Sequence, residues 1–164
     1  MLTLDRAREV LAYDKKTGYL TWKVEKGRRA KTGAVAGSIN GEKEYIRIIV
    51  DGEKHLAHRL AWLIVTGAWP ASKLDHENGV KSDNAWKNLR PATNAQNLQN
   101  QKKATAGNKS TGFLGVSRVT KSKTFRARIT LDGKTIEIGH FATPHEAHQA
   151  YIEAKRQLHT HGTI

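Results

Sequence analysis

Leu74-Asp-His-Glu-Asn-Gly-Val-Lys-Ser-Asp-Asn-Ala-Trp-Lys-Asn-Leu-Arg90 sets a carboxylate and an imidazole side by side, at Asp75 and His76, just ahead of an Asn-Gly pair. Residues 73–76 read as a short extended segment and Asn78-Gly79 as a turn, because glycine accepts the positive φ that tight turns require. Residues 82–89 begin irregularly. Neighbours on an extended strand leave it on opposite faces. Asp75 and His76 therefore serve one site only if the strand ends or twists there, and Gly79 allows that. Downstream, residues 93–101 form a helix with Thr93 as N-cap, and it carries Asn97. Upstream, residues 58–66 form a helix whose apolar side is Leu60, Ala61, Leu63 and Ile64, ended by Gly67 and Pro70. An Asp-His pair alone is usually a surface turn, so its neighbours decide its meaning.

Those neighbours form a pattern. Asp75-His76, Asn78-Gly79, Asp83-Asn84, Asn88-Leu89-Arg90 and Asn97 together resemble the HNH nucleases, in particular the phage and intron-encoded homing endonucleases. His58-Arg-Leu-Ala-Trp62 with Trp69-Pro70 resembles the lead-in of the same family, and the resemblance covers roughly residues 10 to 102. It implies Asp75 and Asn97 as ligands of a divalent metal and His76 as the base that takes a proton from the attacking water. It also implies Asn88 as the residue whose amide bonds backbone across the hairpin and holds the His-bearing strand. The chemistry suits these types. Phosphodiester hydrolysis needs an activated water, charge neutralisation at phosphorus and help for the leaving 3′ oxygen, and a hard cation supplies the last two. Imidazole ordinarily titrates near neutrality and can act as the base. Two positions depart from the family pattern: Glu77 replaces an apolar residue and is expected to face solvent, and Val80 replaces a polar or acidic one.

Composition agrees with such a substrate. Among 164 residues, 28 Lys and Arg oppose 15 Asp and Glu, a net charge of +13 with a pI near 10.1. That excess attracts polyanions, and double-stranded DNA is the expected partner. Both the first hundred residues and the remainder are basic. There is no cysteine, so disulfides and thiolate zinc sites are excluded and Mg²⁺ or Mn²⁺ is the expected cofactor. The hydrophobic fraction is 38% and mean hydropathy −0.62. No apolar run approaches the roughly 20 residues of a membrane span, and the first residues lack the pattern of a secretory leader. The expected address is cytoplasmic, in a phage-infected host if the phage resemblance holds.

Ahead of the motif, residues 3–13 read as a helix with Leu4, Ala7, Val10 and Leu11 on one side. Residues 14–18 read as a turn, 19–22 as a strand, and 27–32 as a basic loop in which Arg28 and Arg29 are candidate DNA contacts. Residues 45–50 and 54–57 form a hairpin through Asp51-Gly52. His55 and His58 are expected to make structural hydrogen bonds. His140, His145, His148, His159 and His161 are expected to be surface polar residues.

Beyond residue 110 the pattern changes. Residues 113–116, 124–131 and 134–140 read as three strands, and Thr143-Pro-His-Glu146 opens a helix through a capping box. Thr111-Gly-Phe-Leu-Gly-Val116, Phe125-Arg-Ala-Arg-Ile129, Ile138-Gly-His-Phe-Ala-Thr143 and Glu146-Ala-His-Gln-Ala-Tyr151 resemble the plant ethylene-response-factor-type DNA-binding domain, which implies a three-stranded sheet on one helix. Alternation turns Phe125, Ala127, Ile129 and Leu131 toward that helix and Arg126, Arg128 and Thr130 away from it. Arg118, Lys121, Lys123 and Lys134 complete a basic rim. Where that family commonly has tryptophan, this chain has residues 119–123, so base specificity does not carry over.

The expected fold is α+β: a ββα-metal (HNH) nuclease domain with an N-terminal hairpin region at 1–104, a linker at 105–110, and a small βββα DNA-binding domain at 111–164. The expected function is a metal-dependent endonuclease acting as a monomer and cutting one or both strands. A DNA-binding protein on an unused HNH scaffold is the alternative, and a basic RNA- or ribosome-binding protein a weaker third. The completeness of Asp75, His76 and Asn97 favours the enzyme.

Overall fold

The computed structural model describes residues 1–25, 27, 30–39, 44–104, 108 and 110–159, arranged as two compact units, Met1–Ala92 and Thr93–Ile164. The first unit opens with α1, Leu4–Val10, capped by Thr3, whose hydroxyl accepts from the Arg6 amide at 3.2 Å. The helix is shorter than its apolar spacing suggests. At Leu11 the backbone turns extended, and β1 (Leu11–Tyr13) pairs antiparallel with β2 (Leu20–Trp22). Two requirements outweigh the helical pattern here. Leu11 is almost wholly buried, and the Asp14 carboxylate accepts from the Lys16 amide at 2.8 Å, fixing the turn that makes β1 half of a hairpin.

The next sheet contains β3 (Ser38–Ile39), β4 (Ile46–Val50) and β5 (Glu53–Leu56) in that order. Asp51 and Gly52, at φ 50° and 83°, make the tight β4–β5 turn expected of Asp-Gly. Then α2, Ala57–Thr66, follows β5 directly and stops where Gly67 enters the left-handed region and donates to the Leu63 carbonyl at 2.9 Å. Val10, Leu11, Leu20, Ile48, Val50, Leu60 and Leu63 form one continuous core with their neighbours.

β6 (Lys73–His76) pairs with β7 (Leu89–Ala92), and the register sets Asp75 opposite Arg90 and His76 opposite Leu89. β7 was not separable from irregular chain by periodicity, since Leu89-Arg-Pro-Ala92 shows no alternation. Residues 77–88 connect the two strands and end in one turn of 3-10 helix, Trp86–Asn88. The β1–β2 hairpin supports this connection: the Tyr13 hydroxyl donates to the Asn84 carbonyl at 2.7 Å and the Trp86 amide donates to the Lys15 carbonyl at 2.9 Å.

In the second unit α3, Asn94–Gln99, begins with a full capping box between Thr93 and Gln96. β8 (Val116–Val119), β9 (Thr124–Leu131) and β10 (Lys134–Phe141) form an antiparallel meander covered by α4, Pro144–Leu158, which has its own capping box between Thr143 and Glu146. The first strand lies three residues later than its sequence suggests. Gly112 and Gly115 have positive φ, and the Asn108 amide donates to the Phe113 carbonyl at 2.7 Å, so residues 113–115 are held as a turn. Ala127, Ile129, Ala147 and Tyr151 meet beneath α4 while Arg128 and Thr130 are exposed, the alternation read from the sequence. Of the expected linker, residues 105–107 and 109 lie outside the described residues. No helix among those described is long and apolar enough to cross a membrane.

Gly18 has φ 77°, and a Cβ there would lie 2.2 Å from the Ala85 nitrogen and 2.3 Å from the Asn84 carbonyl carbon. Gly18→Ala is therefore expected to lower the stability of the first unit by about 2 kcal/mol in urea unfolding. An unchanged midpoint would show that the hairpin and the 77–88 connection do not depend on this close approach.

Candidate active site

β6 ends at His76, and the chain turns at once. Glu77 makes a last cross-strand bond, its amide to the Asn88 carbonyl at 2.9 Å, and the Gly79 amide returns to the His76 carbonyl at 2.8 Å. Leu74, Asp75 and His76 are all buried despite the alternation, His76 against Asn84 of the 77–88 connection and Asp75 against Arg90 of β7. Asp75 and His76 consequently meet different partners.

The connection is held from within by polar side chains. The Asn88 amide nitrogen donates to the Asp83 carbonyl at 2.7 Å, and its oxygen accepts from the Asn78 amide at 2.9 Å. Asn78 donates to the Asp83 carboxylate at 2.7 Å, and that carboxylate accepts from the Ala85 amide at 3.2 Å. Trp86 lies against Trp62 of α2, ring centroids 5.1 Å apart.

His76 Nε2 lies 3.1 Å from Asn84 Oδ1. The Asn84 amide nitrogen donates to the Ser82 carbonyl at 3.3 Å, which turns the oxygen toward His76. An amide oxygen only accepts, so Nε2 carries the proton and Nδ1 the lone pair. The ring of His58 stands edge-on to His76 with centroids 5.0 Å apart, and Tyr45 lies at 5.3 Å from His58 and 5.9 Å from His76. Burial lowers the His76 pKa below its ordinary value, opposed by the Asn84 bond and by the charges of Asp75 and Asp83. The imidazole is thus kept neutral, the form that accepts a proton. Burial, then the charge of Asp75, raises the Tyr45 hydroxyl pKa. On the other side of the strand, Arg90 donates to Asp75 Oδ2 from Nε at 3.2 Å and from a terminal nitrogen at 3.1 Å.

Of the residues singled out in the sequence, Asp75, His76 and Asn88 are buried in the first unit. Asn97 is half-buried on α3 of the second unit. Arg28, Arg29 and His161 lie outside the described residues. Glu77 does reach solvent, with 49% of its side chain exposed, yet it also pairs with Arg90 at 3.3 Å. Asn84, Tyr45 and Arg90 were not assigned roles from the sequence. Asn84 and Arg90 stood inside the quoted motif, but which of its polar residues would be buried against His76 or Asp75 depends on the path of the connection. Among the described residues no group of three or more His, Asp or Glu side chains is placed to hold a metal.

Expectations for three histidines are corrected. His159 is buried and its Nε2 donates to the Thr130 carbonyl at 2.9 Å, and His148 Nδ1 donates to the Leu114 carbonyl at 3.0 Å while its ring packs on Phe113 and Tyr151. Both close the edge of the α4 core instead of facing solvent. His55 stacks on Trp69 at 5.6 Å, and its Nε2 stands 3.6 Å from a Glu53 carboxylate oxygen, beyond hydrogen-bond reach, in place of the expected hydrogen bond. In the same unit as α4, Arg118, Lys121, Lys123, Arg128 and Lys134 are exposed, and Arg126 is half-buried 3.8 Å from Glu137.

Residues 55–99 match the HNH endonuclease family model. The matched segment spans α2, the β6–β7 hairpin and α3, so it contains Asp75, His76, Asn88 and Asn97, and the family is one of nucleases. No curated protein and no solved structure matches the chain.

Burial holds the His58 pKa down to about 3, so between about pH 6.5 and 3 the unfolded chain binds a proton there that the folded chain refuses. The stability linked to neutral His58 is present above that window and is lost as pH falls through it. Between about pH 7 and pH 4 the wild type is expected to lose about 3 kcal/mol more stability than His58→Phe in urea unfolding. Parallel pH dependences for the two proteins would refute the assignment.

Proposed function

We propose that this protein is a divalent-metal-dependent DNA endonuclease of the HNH homing type, hydrolysing phosphodiester bonds of double-stranded DNA as a single chain. The observation that carries the reading is the His76 imidazole. It is buried, its pKa is lowered toward the neutral form, its Nε2 is engaged by Asn84, and it follows Asp75 directly on β6. In this reading Nδ1 takes a proton from water as its oxygen attacks phosphorus, while the bond to the 3′ oxygen breaks. Asn88 acts by position: its two bonds across the 77–88 connection hold the His-bearing strand end, and a small displacement there is costly in rate.

The donor chemistry fits a hard cation. By the sequence pattern alone, Asp75 would offer a carboxylate oxygen and Asn97 a neutral amide oxygen; the chain has no thiolate, and Mg²⁺ or Mn²⁺ suits such donors and takes its remaining ligands from water and phosphate. When bound, such an ion supplies Lewis-acid neutralisation of the phosphate and of the leaving oxygen. Arg118, Lys121, Lys123, Arg126, Arg128 and Lys134 of the second unit serve as the DNA-holding surface, in keeping with the ethylene-response-factor-type pattern. Arg28 and Arg29 are proposed to add contacts from the first.

Relaxation of supercoiled plasmid carrying the target, with and without Mg²⁺, tests the enzyme reading. The wild type is expected to nick or linearise it only with metal, and His76→Ala to be slower by at least about 100-fold. A wild type that binds the target yet leaves it intact with every divalent ion would instead favour a binding protein on an HNH scaffold. The DNA surface has its own measurement. Arg128→Gln is expected to reduce the slope of log affinity against log salt by about 1, and an unchanged slope would remove Arg128 from the interface.

A further inference from the structure

Beside Asp75 stand two charged side chains that the cleavage chemistry leaves unused. Arg90 faces Asp75 across the β6–β7 pair. Two of its nitrogens donate to the same carboxylate oxygen, and the other terminal nitrogen donates to Glu77 Oε1 at 3.3 Å. One guanidinium is thus shared between an interior carboxylate and one at the surface: Asp75 is 5% exposed, Arg90 23% and Glu77 49%.

The charges matter because a divalent cation at Asp75 must approach this guanidinium. Asp75 and Arg90 alone would cancel, leaving little net attraction for a cation. Glu77 returns the group to a single negative charge. Its exposure means that its influence is screened by water and salt, but the attraction on a doubly charged ion is twice that on a monovalent one.

We propose that Glu77, acting through and against Arg90, sets the affinity of the Asp75 site for a divalent cation. Arg90 anchors the carboxylate and opposes the cation, and Glu77 offsets that opposition. This rests on the reading of Asp75 as a metal ligand. It also gives the departure at residue 77 a function: Glu77 is an affinity-determining residue that need not touch the ion.

The test is direct Mn²⁺ binding to the full chain without DNA, by calorimetry or by the electron paramagnetic resonance of free Mn²⁺, with Asp75→Asn defining which binding belongs to the site. At low ionic strength Glu77→Gln is expected to weaken that binding about 5- to 10-fold and Glu77→Lys to weaken it further. Arg90→Gln is expected to tighten it by a similar factor, and the double variant Glu77→Gln/Arg90→Gln to return near wild type. The differences should shrink as salt is raised to about 0.5 M. A purely structural role for Glu77 predicts neither the graded response to charge nor the reversal in the double variant. The two Glu77 variants change an exposed side chain, so they carry the test even if Arg90→Gln fails to fold. Asp75-dependent Mn²⁺ binding that is indifferent to residue 77 overturns this inference and leaves the functional reading standing. A wild type that binds no Mn²⁺ in an Asp75-dependent manner overturns both.

Discussion

The Asn88 amide bonds both limbs of the connection between β6 and β7, giving its nitrogen to the Asp83 carbonyl and its oxygen to the Asn78 amide. Residues 77–88 have little regular structure of their own, and a segment of that kind ordinarily runs over the surface, where water satisfies its backbone. Here it covers the end of β6 and buries His76. The exchange works because side-chain amides and carboxylates take over the role of water, and buried polar groups cost free energy only when left without partners. The contact of the imidazole with Asn84 and its burial depend on the path that Asn88 holds.

The β1–β2 hairpin acts as the outer support of that path. Its Tyr13 hydroxyl and Lys15 carbonyl reach the connection directly, and Gly18 lets the two backbones approach more closely than any side chain permits. Residues far apart in sequence are thereby made part of one polar assembly, while α1, α2 and the strands β1, β2 and β4 provide the apolar core of the same unit.

Much of this was legible in the chain. Asp51-Gly52, Gly67 and the Thr-x-x-Glu of α4 each impose a local geometry that no long-range contact overrides, and they mark their elements accurately. The alternation of β9 sorted Ala127 and Ile129 from Arg128 and Thr130 because one face meets a helix and the other meets water. Where reading failed, two local tendencies competed and a distant contact decided. Leu11 suits a helix face as well as a strand, and pairing with Trp22 settled it. His148 and His159 look like surface residues until the carbonyls of Leu114 and Thr130 are brought to them. In the candidate site, Asp75, His76 and Asn88 were visible as a spaced set of residue types. Asn84 and Arg90 were not distinguishable as partners, because their roles arise from a fold-back of the chain that has no periodic signature.

The Gly79 amide, engaged by the His76 carbonyl at 2.8 Å, has a consequence for the lifetime of the folded protein. Asn-Gly sequences age by attack of the glycine nitrogen on the asparagine side-chain carbonyl carbon, which expels ammonia and closes a succinimide that water opens to aspartate or isoaspartate. That attack requires the glycine amide to turn toward the side-chain carbonyl and give up its proton. At Gly79 the amide is held by His76, while the Asn78 side chain is held by Asp83 and the Val80 amide. The bonds that shape the site therefore also slow the chemical decay of the turn on which it stands, and partial unfolding would start that clock.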